Sequence, residues 1–121
     1  MDAAPLRHVD ALWAAARSIE VAPRHHEASG RSVMVGSAEE IAEVAGLLEV
    51  DLTAAPLTCM CPGDVSFTVR GERGAVLGVL THHAGGGLDW SRWSGQLPLL
   101  RLGELTAWLT ERDVVVPNPR Q

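Results

Sequence analysis

The stretch that most constrains the fold lies at residues 65–83, where two apolar strands flank a short turn. In VSFTVR, Val65, Phe67 and Val69 alternate with polar residues, which is the period of a half-buried β-strand. RGERG follows and supplies two glycines that suit a hairpin turn. AVLGVLTHH is apolar at both alternating positions, which predicts a central strand covered on both faces. The fold must therefore include an antiparallel hairpin.

Helical patterns occur in three other segments. Residues 6–19 and 102–112 each place apolar side chains at helical spacing, and residues 37–50 open with an S-x-x-E capping box formed by Ser37 and Glu40. A short apolar run, RSVMVG, predicts a further strand between the first two helices. This order predicts an α+β fold, with an antiparallel sheet of about four to five strands and two or three helices packed on a face.

The size of the chain fits a single domain. It has 121 residues, of which 46% are hydrophobic. A chain of this length buries about two-thirds of the surface that its unfolded form exposes, so it folds without disulfide bonds. We expect one domain over residues 1–121, with poor order in the first few residues and from about residue 115 onward.

Charge and hydropathy restrict the partners and the compartment. The net charge is −5, and all ten basic residues are arginines without a basic tract. This argues against nucleic acid, whose binding rests on clustered Lys and Arg. No apolar run approaches the roughly 18 residues that span a bilayer, and the start lacks a signal-peptide pattern. We expect a cytoplasmic bacterial protein with no membrane partner; the arginine-only basic set is typical of a GC-rich genome.

The two cysteines and two adjacent histidines form the main candidate site. Cys59 and Cys61 are one residue apart, just before a Pro-Gly turn, and His82 and His83 end the second strand of the hairpin. In an extended segment, residues two apart point the same way, about 6.5 Å from each other. A disulfide across that span is strained, and cytoplasmic thiols stay reduced.

Two thiolates with one or two imidazoles are a ligand set that suits zinc, which is the only cofactor that the sequence suggests. Adjacent residues of a strand face opposite sides, so only one of His82 and His83 meets the sulfur atoms without a bend. The alternative needs no cofactor. Free cysteines pack as small hydrophobic residues, and histidines at strand ends hydrogen-bond to loop carbonyls.

Three further side chains are candidates. Asp64 in CPGD either caps the turn or acts as a general base, and His82 and His83 are the other catalytic candidates. Trp90 and Trp93 flank the end of a glycine-rich loop. They either fill the core, since the chain has a single Phe, or form a binding surface, because tryptophan is enriched at interface hot spots.

The second half of the chain resembles a group of small bacterial proteins that carry C-x-C-x-G-D, a hairpin, HHG, two spaced tryptophans and a final W-L helix. The residues that carry the resemblance lie between Cys59 and Leu109. Two positions depart from the pattern, since Asp89 stands in place of Arg and Ala84 in place of Gly. The resemblance implies no activity.

Three functions compete on this basis. The first is a non-enzymatic interaction or accessory domain, such as an immunity or regulatory protein, with a protein partner. The second is a metal- or thiol-dependent sensor built on Cys59, Cys61 and His82 or His83. The third is a small enzyme at the same cluster, with Asp64 as base. No nucleophile elbow or phosphate-binding glycine loop is present in the sequence, which favours the non-enzymatic reading. The oligomeric state is not predicted.

Overall fold

A computed structural model of the chain describes residues 8–24, 30–57, 63–83, 86–93 and 95–115. These residues form three α-helices and six β-strands around one hydrophobic core. The elements, in chain order, are α1 (His8–Ala15), β1 (Ser18–Pro23), β2 (Val33–Val35), α2 (Ala38–Leu47), β3 (Val65–Arg70), β4 (Val76–His82), β5 (Gly87–Trp90), β6 (Leu97–Pro98) and α3 (Leu102–Glu111).

The six strands form one antiparallel sheet in the order β2-β1-β3-β4-β5-β6. This confirms the predicted α+β fold. The sheet is larger than the predicted four to five strands because β1 begins where the sequence predicts the end of the first helix. β2 lies within the predicted strand RSVMVG, whereas β6 has only two residues, too few for a readable alternation.

The β3–β4 hairpin forms where the sequence predicts it. Phe67 pairs with Leu80 at its centre, and both side chains are fully buried. A short 3₁₀ turn at Glu72–Gly74 joins the strands, and the N–H of Gly71 donates to the carbonyl of Ala75 at 2.9 Å. A register shift at Val69/Arg70 marks a bulge close to this turn.

The first helix ends earlier than its periodicity predicts. The apolar stripe continues through Ile19, but α1 stops at Ala15 and Ile19 lies in β1. There Ile19 and Val21 pair with β3 and are completely buried. Burying two β-branched side chains in the sheet outweighs one more helical turn, because such residues fit the pleated surface better than a helix.

The helices supply the other half of the core. Helix α2 buries Ile41, Val44 and Leu47, and it begins with the predicted cap, because the N–H of Glu40 donates to Oγ of Ser37 at 3.1 Å. Helix α3 buries an apolar stripe that includes Trp108. None of the helices in the described ranges has the length and apolar character needed to cross a bilayer.

Strand β4 corrects one expectation. It is central in the sheet, as predicted, but it is not covered on both faces. Leu80 points into the core and is fully buried, whereas Val79, the next residue back, is 39% exposed. Val76 and Leu77 are 54% and 41% exposed. The apolar residues on both faces of β4 therefore do not show that both faces are buried.

Candidate functional site

The histidine end of the β3–β4 hairpin brings three of the predicted site residues together. The N–H of Asp64, which precedes β3, donates to the carbonyl of His82 at 2.8 Å. The N–H of His83 donates to the carbonyl of Gly87 at 2.8 Å, which ties β4 to β5. Cys59 and Cys61 lie outside the described residues.

The two imidazole rings lie on opposite faces of the sheet. His82 pairs with Val65 and Leu88, which are buried core residues, so its ring shares their face. His83 lies on the face of Thr81, two residues before it. A Cβ atom built on Gly63 would collide with Cγ2 of Thr81 and lie 3.5 Å from Nε2 of His83. Gly63, with φ +83°, therefore lets the backbone cross directly over the His83 ring.

Each ring has one buried nitrogen for which the described residues supply no hydrogen bond. His82 and His83 are buried, with only 5% and 7% of their surface exposed. Nδ1 of His82 and Nε2 of His83 have no hydrogen-bond partner among the described residues. A buried polar atom left unsatisfied costs about 1–3 kcal/mol, so each nitrogen is a position where a ligand or partner atom is energetically favoured.

Burial also changes the acid–base behaviour of this end. It lowers the pKa of His82, because a charged imidazolium loses solvation in the core. The nearby Asp64 carboxylate opposes the shift, since it stabilises the charged ring. The neutral form of His82 is therefore favoured in the folded protein, which leaves a lone pair on one ring nitrogen.

The predicted zinc ligands are only partly described. No group of three or more His, Cys, Asp or Glu side chains that could hold a metal ion occurs within the described ranges. His82 and His83 stay candidate ligands through their unpartnered nitrogens. Because the rings face opposite sides, they are not placed to bind one ion together, as the alternation along a strand predicts.

The two candidate binding tryptophans are core residues. Trp90 and Trp93 are 4% and 6% exposed, and their rings meet edge to face with centroids 5.5 Å apart. Nε1 of Trp90 lies 3.0 Å from the position that a Cβ on Gly78 would occupy, so Gly78 admits the indole against β4. Neither ring forms an exposed apolar patch, which is the usual sign of a docking surface.

Exposed apolar side chains lie instead at the opposite end of β4, where the sequence predicts a strand covered on both faces. Val76, Leu77 and Val79 are large apolar side chains within four consecutive residues, all more than a third exposed. Comparison of strand lengths could have indicated this exposure, because the four residues GLDW of β5 are too few to pair with all of AVLGVLTHH, which contains β4. We call these three residues the β4 patch.

A groove adjoins the β4 patch. It has a volume of about 320 Å³ and lies between α1 and the ends of β4 and β5. Its lining is mainly apolar and small, with one charged residue: Ala11, Leu12, Ala15, Leu77, Trp90 and Arg92. The groove and the patch share Leu77, so they meet at that residue.

Comparison of the chain with protein-family models, with curated proteins and with solved structures gave no match. The resemblance of the second half to small bacterial proteins therefore stays a prediction.

Proposed function

We propose that this chain is a small protein-binding accessory domain of the bacterial cytoplasm, of the immunity or regulatory kind, and that the β4 patch is its contact surface. The observation that carries the proposal is the exposure of Val76, Leu77 and Val79 on a strand of the sheet. Single exposed apolar side chains are common on proteins, but three of them within four residues of one strand concentrate apolar surface, as interaction sites do.

The rigidity of the patch supports a binding role. β4 pairs with β3 along its length, and the hairpin turn is closed by backbone hydrogen bonds. Side chains on such a strand are already ordered, so binding costs less conformational entropy than it would on a loop. The acidic balance of the chain, −5, and its lack of a basic tract favour a protein rather than nucleic acid as partner.

Co-purification with the products of neighbouring genes tests the proposal. Each product is expressed with the wild-type chain, with Val79→Glu or with Leu100→Glu. Leu100 is 61% exposed and follows β6, so it is a matched control for adding a charge to an exposed apolar position. We expect a partner that is retained by wild type and Leu100→Glu and lost with Val79→Glu. Equal retention by all three chains would exclude the β4 patch as the contact surface.

A second candidate, a zinc- or thiol-dependent sensor, is favoured by one specific observation. Nε2 of His83 is buried, lacks a hydrogen-bond partner among the described residues and lies beside Gly63. Cys61 stands two residues before Gly63 in the sequence. Two thiolates and one neutral imidazole would leave the fourth position of a tetrahedral zinc ion open, which is the arrangement of reactive rather than purely structural sites.

Metal analysis after purification without chelator tests this candidate. We expect one equivalent of zinc in wild type and its loss in Cys59→Ser, Cys61→Ser and His83→Asn. His82→Asn is the matched control, because its ring lies on the other face of the strand. A metal-free wild-type chain with two freely titrating thiols would rule out the zinc site.

A further inference from the structure

Strand β4 is longer than the strand that flanks it. β5 pairs only with the last part of β4, from Leu80 to His82. The first part, from Val76 to Val79, pairs with β3 on one side. On its other side no strand of the described ranges is paired with it, so this part of an otherwise central strand is an edge.

The backbone of this edge is oriented for pairing. The N–H of His83 points toward β5, where it donates to Gly87. In a regular antiparallel strand the direction alternates, so Thr81 and Val79 present their backbone groups on the same side as His83. The register that pairs Thr81 with Asp89 would place residue 91 opposite Val79, but residue 91 lies in a turn beyond β5. Within the described ranges, the strand pairing of β5 therefore ends before it reaches Val79.

The groove described above adjoins this edge, because Leu77 of β4 belongs to its lining. On α1 the lining includes Ala11 and Ala15, and Trp90 lines the groove from β5. Small side chains on the helix leave room for an apolar side chain of an added strand. When a peptide adds to a sheet as a strand, its backbone hydrogen bonds supply affinity. Its alternate side chains enter a pocket, and this supplies specificity.

Arg92 is the one charged residue among the described residues that line the groove. The guanidinium of Arg92 lies 6.0 Å from the ring centroid of Trp90 at the mouth of the groove. Arg73 lies in the turn before β4, and Arg17 donates its backbone N–H to Arg70 at the end of β3. Arg17, Arg73 and Arg92 are exposed, and none forms an ion pair with a carboxylate of the described residues. Glu72 in the same turn as Arg73, Asp10 on α1 and Asp89 on β5 are the acidic residues of these elements.

We propose that an extended acidic segment of a partner protein adds to the sheet as a strand beside Val76–Val79. One of its apolar side chains enters the groove under α1, and a carboxylate near it pairs with Arg92. The inference rests on the proposed protein-binding function and names its partner's chemistry. A second copy of this chain fits less well, because its own β4 edge, VLGVLTH, carries no carboxylate to pair with Arg92. A docked helix would leave the strand's backbone groups unpaired.

Selection of peptides from a phage-displayed random library on the immobilised full chain tests the inference. We expect enriched peptides that alternate apolar residues with Asp or Glu. A synthetic copy of the best peptide should bind Leu100→Glu like wild type and bind Arg92→Glu about tenfold more weakly, since an attractive charge pair becomes a repulsive one. Enrichment of basic or helix-patterned peptides, or unchanged affinity for Arg92→Glu, would refute acidic strand addition.

Backbone pairing is tested by N-methylation of alternate amides of the same peptide. Only one of the two alternating sets of amides faces β4 in an added strand. We therefore expect one methylation pattern to abolish binding and the other to preserve it; equal effects of both patterns refute a strand.

The outcomes separate this inference from the broader proposal. A gene product lost with Val79→Glu but no selected peptide would keep the protein-binding function and refute the acidic strand. A concentration-dependent dimer in sedimentation velocity that Val79→Glu abolishes would identify a second copy as the occupant and refute the inference.

Discussion

The close approach of Gly63 to the histidine end of the hairpin yields a sharp prediction for Gly63→Ala. Gly63 has φ +83°, and a methyl group there would collide with Cγ2 of Thr81 and press against His83. Gly74 is the matched control. It has φ +76° in the hairpin turn, and a methyl group there would meet no atom within 4 Å. The two alanine variants therefore share the backbone strain and differ in the collision.

The expected costs follow from these two terms. A left-handed backbone conformation costs a residue with a Cβ about 1–2 kcal/mol, and the lower entropy of the unfolded alanine chain returns about 0.4–1 kcal/mol. Gly74→Ala should thus lose about 1 kcal/mol of the free energy of unfolding. Overpacking adds about 1–3 kcal/mol, so Gly63→Ala should lose about 2–4 kcal/mol.

Urea unfolding of the variants at constant pH measures these differences, since a domain of this size is expected to unfold in two states. Thr81→Ser removes the methyl group that the new side chain would strike. In the Gly63→Ala/Thr81→Ser double variant we therefore expect about 1–3 kcal/mol of the lost free energy of unfolding to be recovered. A double-mutant cycle measures this recovery as the coupling between the two positions. Equal costs for the two alanine variants, or no recovery with Thr81→Ser, would refute the proposed crossing of the backbone over Thr81 and His83.

Three other predictions concern stability. Because burial lowers the pKa of His82 below its ordinary 6.5, the unfolded chain takes up a proton first as the pH falls, and stability decreases below about pH 6.5. In urea unfolding measured in EDTA, His82→Gln should flatten the dependence of the urea midpoint on pH in this range. Parallel midpoint profiles for wild type and His82→Gln would contradict the burial effect. Ser37→Ala should lose about 1 kcal/mol through the helix cap, and Ser37→Gly should lose less; equal losses would argue against the cap. Trp108→Ala should lose about 3–5 kcal/mol in urea unfolding because the side chain is 4% exposed and packs under Arg112, and a loss below 1 kcal/mol would contradict this packing.

Local patterns predict those parts of the fold in which neighbouring residues along the chain determine the structure. Alternation in VSFTVR and a glycine-containing turn predict the β3–β4 hairpin, and the capping box predicts the start of α2. The end of α1 is different. Ile19 continues a helical stripe in the sequence, but its pairing with Val69 decides its conformation, and a partner fifty residues away leaves no local signal.

The same distinction applies to the candidate site. His82, His83 and Asp64 are predictable as neighbours because they flank the ends of paired strands. The contact between Gly63 and His83 depends on a single left-handed backbone angle at Gly63. The sequence CPGD allows this conformation but does not determine it, so the contact is not predictable. The exposure of the β4 patch depends on where β5 stops, and that end is set by the turn after Trp90 rather than by any property of β4 itself.

The two ends of β4 are far enough apart to act independently. Four residue steps separate Val79 from His83, which is roughly 13 Å in an extended strand with a rise of about 3.3 Å per residue. Substitutions more than about 10 Å apart with no shared partners usually have additive effects. The effects of Val79→Glu and His83→Asn on the affinity for one partner should therefore add. Strong coupling between them, in affinity measured by titration calorimetry, would mean that the partner spans the whole strand or that the histidine end controls the order of the β4 patch.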